Sequence, residues 1–276
     1  MTRIAIGMVI DERDAKYFTQ ASRLVRSLHR VFCSVPNVHI FACFLGVGSC
    51  SAKQSLKTFG AEPVDLCQLP LEHGPSNKLR FLELVDLRSY DIVGLLDCDI
   101  FVERPFSDEL IVGAFQAKIA DIETVSLTTL VSILQKRGIG TPPAEYRTSV
   151  SGARTVMYCN SGVLFIPANA APAFASHWLT EINSLYSEAW LLDRRNNYGQ
   201  RERSFCDQIA LTVLHYKGLL PTFRPLDNSM NFPVHLMPVP RDTLPYILHY
   251  HFDHVWKTLR LECFNSDGSI SKQRKK

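Results

Sequence analysis

No apolar run in this sequence approaches the roughly 18 to 20 residues needed to cross a bilayer. Charge of one sign is also scarce. Thirty Lys and Arg against 27 Asp and Glu leave a formal +3 over 276 residues, too little to argue for a nucleic-acid partner, and the basic residues do not collect on one helix. Cysteine occurs eight times but without a C-x-x-C pair or a regular framework, so no zinc site is spelled out. Several cysteines lie in apolar runs, such as Cys43 in IFACFL and Cys159 in MYCNSGV, where a free thiol behaves as a small hydrophobe. No apolar leader precedes the strand-like run at 3–10. From these absences we expect a reducing, cytoplasmic setting. Glycine is missing from DERDAKYF at 11–18, so no Gly-rich loop follows the first strand.

What the chain does have is 46% hydrophobic residues, enough for a sizeable core. We expect one domain over 1–262 and a disordered basic tail at 263–276, where Lys272, Arg274, Lys275 and Lys276 end the chain. The most informative stretch is YDIVGLLDCDIFVERP at 90–105, an apolar run that meets Asp97-Cys98-Asp99 and turns apolar again. In a strand, residues two apart face the same way, so Asp97 and Asp99 aim at one point while Cys98 faces back. Two carboxylates so placed suit a hard divalent cation. A lone Asp-x-Asp is weak evidence, because about one arises by chance in a chain with this much aspartate. Its position is stronger evidence, since open α/β sheets bind ligands at the carboxyl ends of their strands.

Apolar runs at 4–10, 38–45 and 62–66 read as strands. Between them, Tyr17, Ala21, Leu24, Val25 and Leu28 recur at helical spacing, and 52–59 reads as a helix stopped by Gly60. This βαβαβ alternation predicts an α/β fold with a mostly parallel sheet and helices on both faces. Leu79, Leu82, Leu84 and Val85 predict a helix over 77–87. Further on we expect a strand at 114–121, a helix at 124–136, and a loop at 138–152 that is either a mobile lid or a long connection. An apolar segment at 155–166, broken by Asn160-Ser161-Gly162, precedes expected helices at 171–192 and 206–215. The segment 219–257, rich in Pro and aromatics, reads as a wrap over a site.

Five motifs follow one another in the chain. They are Lys78-Leu79-Arg80-Phe81 with YDIVGLLDCDIFVERPFSDEL at 90–110, CNSGVLFIPA at 159–168, CDQIAL at 206–211, LDNSMNFP at 226–233, and His251-Phe252-x-His254-x-x-Lys257. In this order they resemble the GT-A fold glycosyltransferases, and most of all family 8, that of glycogenin and the bacterial lipopolysaccharide galactosyl- and glucosyltransferases. The resemblance implies a Rossmann-like, mostly parallel sheet flanked by helices, with Asp-x-Asp at a strand end. It implies a metal-dependent, retaining transfer of a hexosyl group from a UDP-sugar to a glycan, glycolipid or protein acceptor.

The resemblance also implies residue roles. Asp97, Asp99 and His251 would hold Mn²⁺ (or Mg²⁺), which neutralises charge on the leaving diphosphate. Lys78 and Lys257 would add positive charge at the same phosphates. Asp14 and Tyr17, with Asp97, fall among the nucleotide contacts, Tyr17 stacking on the base. Asp121, Asn160, Asp207 and Gln208 would recognise the sugar. Asp207 and Gln208 would lie nearest the anomeric carbon, where an oxocarbenium-like state needs a polar or anionic group.

Plainer roles compete with some of these. Tyr17 can pack on the sheet, and Asp207 can cap a helix in competition with Ser204. His249, two residues before His251, is an alternative metal ligand with the same facing. The chain departs from the family pattern at His254, where the motif has a permissive glycine, and at Ile209, where a further acid is frequent. RRNNYGQRERS at 194–204 is either a solvated loop or a surface for an anionic acceptor, and the basic tail offers a peripheral contact to an anionic membrane. A noncatalytic nucleotide-sugar-binding protein is the main alternative. A sugar nucleotidyltransferase ranks lower, because DERDAKYF has no glycine.

Overall fold

The structure is a computed structural model that describes residues 2–67, 74–83, 85–191, 193–240 and 244–263. The basic tail from 264 onward, Leu84 and Leu192 lie outside the described residues. The chain begins as β1 (Ile4–Ile10), α1 (Ala15–Phe32), β2 (Val38–Leu45), α2 (Cys50–Lys57) and β3 (Ala61–Leu66), the expected βαβαβ unit. Asp14 caps α1 by accepting from Lys16 N, and Ser49 caps α2 through Ala52 N. Gly60, at φ +74°, ends the second helix in a left-handed conformation.

Next come β4 (Ile92–Leu96), β5 (Ile100–Val102), β6 (Phe115–Ile119), α3 (Leu127–Lys136), β7 (Tyr146–Arg147), β8 (Arg154–Thr155) and β9 (Cys159–Pro167). The chain closes with α4 (Ala171–Tyr186), α5 (Cys206–Tyr216), β10 (Phe223–Pro225), β11 (Phe232–Pro233), β12 (Ile247–His249) and α6 (Asp253–Cys263). Seven strands form the main sheet in the order β10-β6-β9-β4-β1-β2-β3. Its pairs are parallel except where β9 runs antiparallel between β4 and β6. Every residue of β4 and β9 is buried, which is why both read as unbroken apolar runs rather than alternating ones.

Alternate residues of β1 feed two cores. Ile4, Ile6 and Met8 pack with α1 and α2, whereas Ala5 packs on the other face with α3, α4 and α5. Helices therefore flank both faces of the sheet. The segment predicted as an α-helix over 77–87 is instead two 3-10 stretches, Gly74–Glu83 and Val85–Ser89. Its side chains at 76–79, 81 and 82 are buried, so no amphipathic stripe forms. The ring of Phe81 also lies where a Cβ on Gly7 would come within 2.3 Å of it, pressing the segment onto β1. Tertiary packing overrides the helical spacing there.

The Asp97-Cys98-Asp99 triplet does not continue a strand. β4 ends at Leu96, the triplet turns, and β5 joins a separate sheet, pairing antiparallel with β12 (Val102 opposite Ile247, Ile100 opposite His249) while β12 pairs with β11. The alternation argument for Asp97 and Asp99 is thus replaced by turn geometry. Two boundaries also shift: α4 stops at Tyr186, short of 192, and α3 starts at Leu127 behind its cap Ser126. The loop at 138–152 is partly ordered by the β7–β8 pair.

Candidate functional site

Chain direction puts polar residues just past the carboxyl ends of β1 and β4, where the sheet meets the 3-10 segment and α5. A cavity of about 440 Å³ opens there, lined among others by Tyr17, Lys78, Asp97, Asp99, Asp207 and Gln208. A second cavity of about 320 Å³ shares Phe205 and Gln208 with it and is lined also by Asp121, Asn160, His235 and His251. The structure thus gathers most of the expected site residues around two adjoining spaces.

Lys78 is the charge centre of the first. Its Nζ lies 3.3 Å from Asp97 Oδ1 and 3.3 Å from Asp207 Oδ2, and donates to Ser161 O and Oγ at 3.1 Å each. Ser161 Oγ in turn donates to Asp207 Oδ2 at 2.6 Å, and Trp178 Nε1 to the Asp207 carbonyl at 2.8 Å. Burial favours a neutral lysine, but Asp97 and Asp207 outweigh it and hold the ammonium above its usual pKa. Burial raises the Asp97 carboxyl, against the pull of Lys78. Asp207 is not a helix cap. It sits inside the first turn of α5 behind the cap position Phe205, and its carboxylate meets Ser161 and Lys78.

The second cluster forms where β5 and β12 bring distant residues together. One ligand atom each from Asp99, His249 and His251 lie within 4.8 Å of one another. His249 Nε2 is 3.3 Å and His251 Nδ1 3.9 Å from the Asp99 carboxylate. His249 is buried, and its Nε2 has no hydrogen-bond partner, being near Asp99 but misaligned for a bond. A buried ring nitrogen aimed at a carboxylate without bonding it, beside a second imidazole, fits a divalent cation. Burial works against charge on Asp99, yet His249 and His251 hold its carboxyl well below the usual range. Burial above all pushes the His251 imidazole well down, so that ring suits ligation in the neutral form. Asp97 is not among these three and lies instead 3.3 Å from Lys78, while His249, weighed above as an alternative to His251, stands beside it rather than replacing it. Asp99 lines the first cavity and His251 the second, so the cluster touches both.

Asp121 and Asn160 line the second cavity. Asp121 pairs with the buried Lys118 and accepts from Ser149 Oγ at 2.8 Å, while the backbone N–H groups of Val150 and Ser151 bond its carbonyl. The loop at 138–152 is thereby tied to the site. Burial depresses the Lys118 pKa against the attraction of Asp121. Two expected contacts are placed elsewhere. Asp14 caps α1, and Lys257 is exposed on α6; neither lines either cavity. Sequence reasoning assigned no role to Ser161, Asn231 or Lys118. A lysine inside the apolar run FQAKIAD was the available signal for the last of these.

No protein-family model matches the sequence, and no curated protein matches it. Solved structures do. The apo-form glycosyltransferase GlyE of Streptococcus pneumoniae TIGR4 superposes with a TM-score of 0.54 at 16% identity, over 93% of this chain and 60% of its own. Mouse xyloside xylosyltransferase 1, also apo, gives a TM-score of 0.54 at 15% identity, over 91% of this chain and 98% of its own. The galactosyltransferase LgtC in complex with donor and acceptor sugar analogs gives 0.50 at 16% identity, over 90% and 87%. The chain thus spans less than two thirds of the length of GlyE. What these similarities establish is the architecture: the chain has the fold of the GT-A glycosyltransferases.

Proposed function

We propose that the protein is a metal-dependent, retaining glycosyltransferase that moves a hexosyl group from a UDP-sugar to a glycan, glycolipid or protein acceptor, as in family 8. The observation that carries this reading is the Asp99, His249 and His251 cluster, which borders both of two adjoining cavities. The solved structures similar to this chain include a galactosyltransferase and a xylosyltransferase.

A divalent ion such as Mn²⁺, when bound, supplies charge neutralisation for a diphosphate leaving group. The chain's own residues do the rest. Tyr17, 40% exposed at the rim of the first cavity, offers its ring to the base. Lys78 places a fixed positive charge at the phosphates, held there by Asp97 and Asp207. Asp207, in the first cavity, and Gln208, which lines both cavities, face the anomeric carbon and stabilise positive charge as the glycosidic bond lengthens. Asp121 and Asn160 bind sugar hydroxyls. Lys257 is exposed on α6 and lines neither cavity.

That last placement favours the second reading, a noncatalytic nucleotide-sugar-binding protein of the same fold. Calorimetry with UDP, GDP and CDP, with and without Mn²⁺, on the native chain and Asp99→Ala, tests the donor half. UDP binding that needs both metal and Asp99 is expected, and metal-independent binding would sink the proposal. Hydrolysis of a UDP-hexose without acceptor then separates enzyme from binder, since a noncatalytic protein gives none.

A further inference from the structure

His249 is useful to a metal only if its Nε2 carries a lone pair rather than a proton, and its environment decides which. Four hydrogen bonds run inward from the ring. His249 Nδ1 lies 3.0 Å from Asn231 Oδ1, and Asn231 Nδ2 lies 3.2 Å from Asn160 Oδ1. Asn160 Oδ1 also accepts from Gly162 N at 2.8 Å, and Asn160 Nδ2 donates to Asp121 Oδ2 at 3.4 Å.

The two ends of this chain admit one polarity. A backbone N–H can only donate, so the Asn160 atom facing Gly162 is the carbonyl oxygen. A carboxylate beside a lysine accepts, which suits the Asn160 amide nitrogen at Asp121. Asn231 must then offer its nitrogen to Asn160 and turn its oxygen to His249. An oxygen there takes a proton from Nδ1. The neutral ring is left with its lone pair on Nε2, the atom that faces Asp99 without a hydrogen bond. Asn231 is fully buried, and Asn160, Asp121 and His249 nearly so, so water does not compete for these groups.

We infer that Asn231 and Asn160, anchored by Asp121 and Gly162, are positioning residues that lock His249 in the Nδ1–H tautomer and present its Nε2 as a metal ligand beside Asp99 and His251. The inference rests on the metal-dependent reading above but concerns the ring in the metal-free chain as well.

The test is a long-range ¹H–¹⁵N correlation spectrum of the ¹⁵N-histidine-labelled, metal-free protein at about pH 8, where an ordinary histidine is neutral. His249 is expected to show a protonated Nδ1 and a bare Nε2. A proton on Nε2 would overturn the inference. In Asn231→Leu the two tautomers should mix, and Mn²⁺ affinity measured without nucleotide should fall about 10- to 100-fold. Unchanged affinity would also overturn it. If Asn231→Leu does not fold, the spectrum of the native chain decides alone. Imidazole ¹⁴N couplings to bound Mn²⁺ should number two in the native protein and one in His249→Ala, and equal numbers count against His249 as a ligand. A wrong tautomer with metal-dependent UDP binding intact rejects this inference and leaves the transferase reading standing, whereas loss of all metal binding rejects both.

Discussion

Among the described residues, His251 is the one non-glycine with a left-handed backbone, at φ +53°. Its neighbours close a tight turn around it, Phe252 N bonding Tyr250 O at 2.5 Å. A histidine in this region costs about 1–2 kcal/mol, and such strain gathers where a side chain is needed in one place. We therefore expect His251→Gly to leave the thermal unfolding midpoint unchanged or higher while removing Mn²⁺ binding, a split that calorimetry and a melting curve would read together. Gly162 makes the converse case. A Cβ there would meet His249 Cε1 at 2.5 Å, so Gly162→Ala must displace the ring, costing about 1–3 kcal/mol of stability in urea unfolding and weakening metal binding. With two imidazoles and one carboxylate, the site favours ions that accept nitrogen. Mg²⁺ should bind on the order of tenfold more weakly than Mn²⁺ or Co²⁺ in a direct titration.

At the scale of elements, two segments carry the site and neither has the form its sequence pattern suggests. The 3-10 stretch Gly74–Glu83 delivers Lys78 into a buried position between Asp97 and Asp207. Replacing it by Met would strand two carboxylates, and the loss should be on the order of 3 kcal/mol in denaturant unfolding. Adding Asp207→Asn should recover part of that loss, because one uncompensated charge is removed. The leucine spacing at 77–87 was legible, but not that Asn77 and Lys78 would be buried along with Leu79, Phe81 and Leu82. Likewise the acid triplet was legible, but its turn between two sheets was not, since β5 pairs with β12, a strand about 145 residues further along the chain.

At the scale of the molecule, the site joins both halves of the chain. His249 and His251 reach Asp99 because β12 lies against β5, and Arg23 of α1 ties the start of α6 by donating to Asp253 at 2.6 Å. A ligand bound across such a junction stabilises the whole fold. Mn²⁺ at about 100 times its dissociation constant should add about 2.7 kcal/mol to the native state, seen as a higher melting temperature that EDTA reverses and His249→Ala abolishes.

The sequence by itself determined the parallel βαβ start, the buried central strands and the motif order, because these rest on local periodicity and on residue types read a few positions apart. It also singled out Asp97, Asp99, Asp207 and the two histidines as chemistry-bearing. Only the tertiary structure decided how these side chains are shared. Lys78 takes Asp97 and Asp207, His249 joins Asp99 and His251, and Asp14 goes to a helix cap. The reason is physical: charge pairing and imidazole tautomers are settled by which groups meet within about 3 Å, out of reach of water.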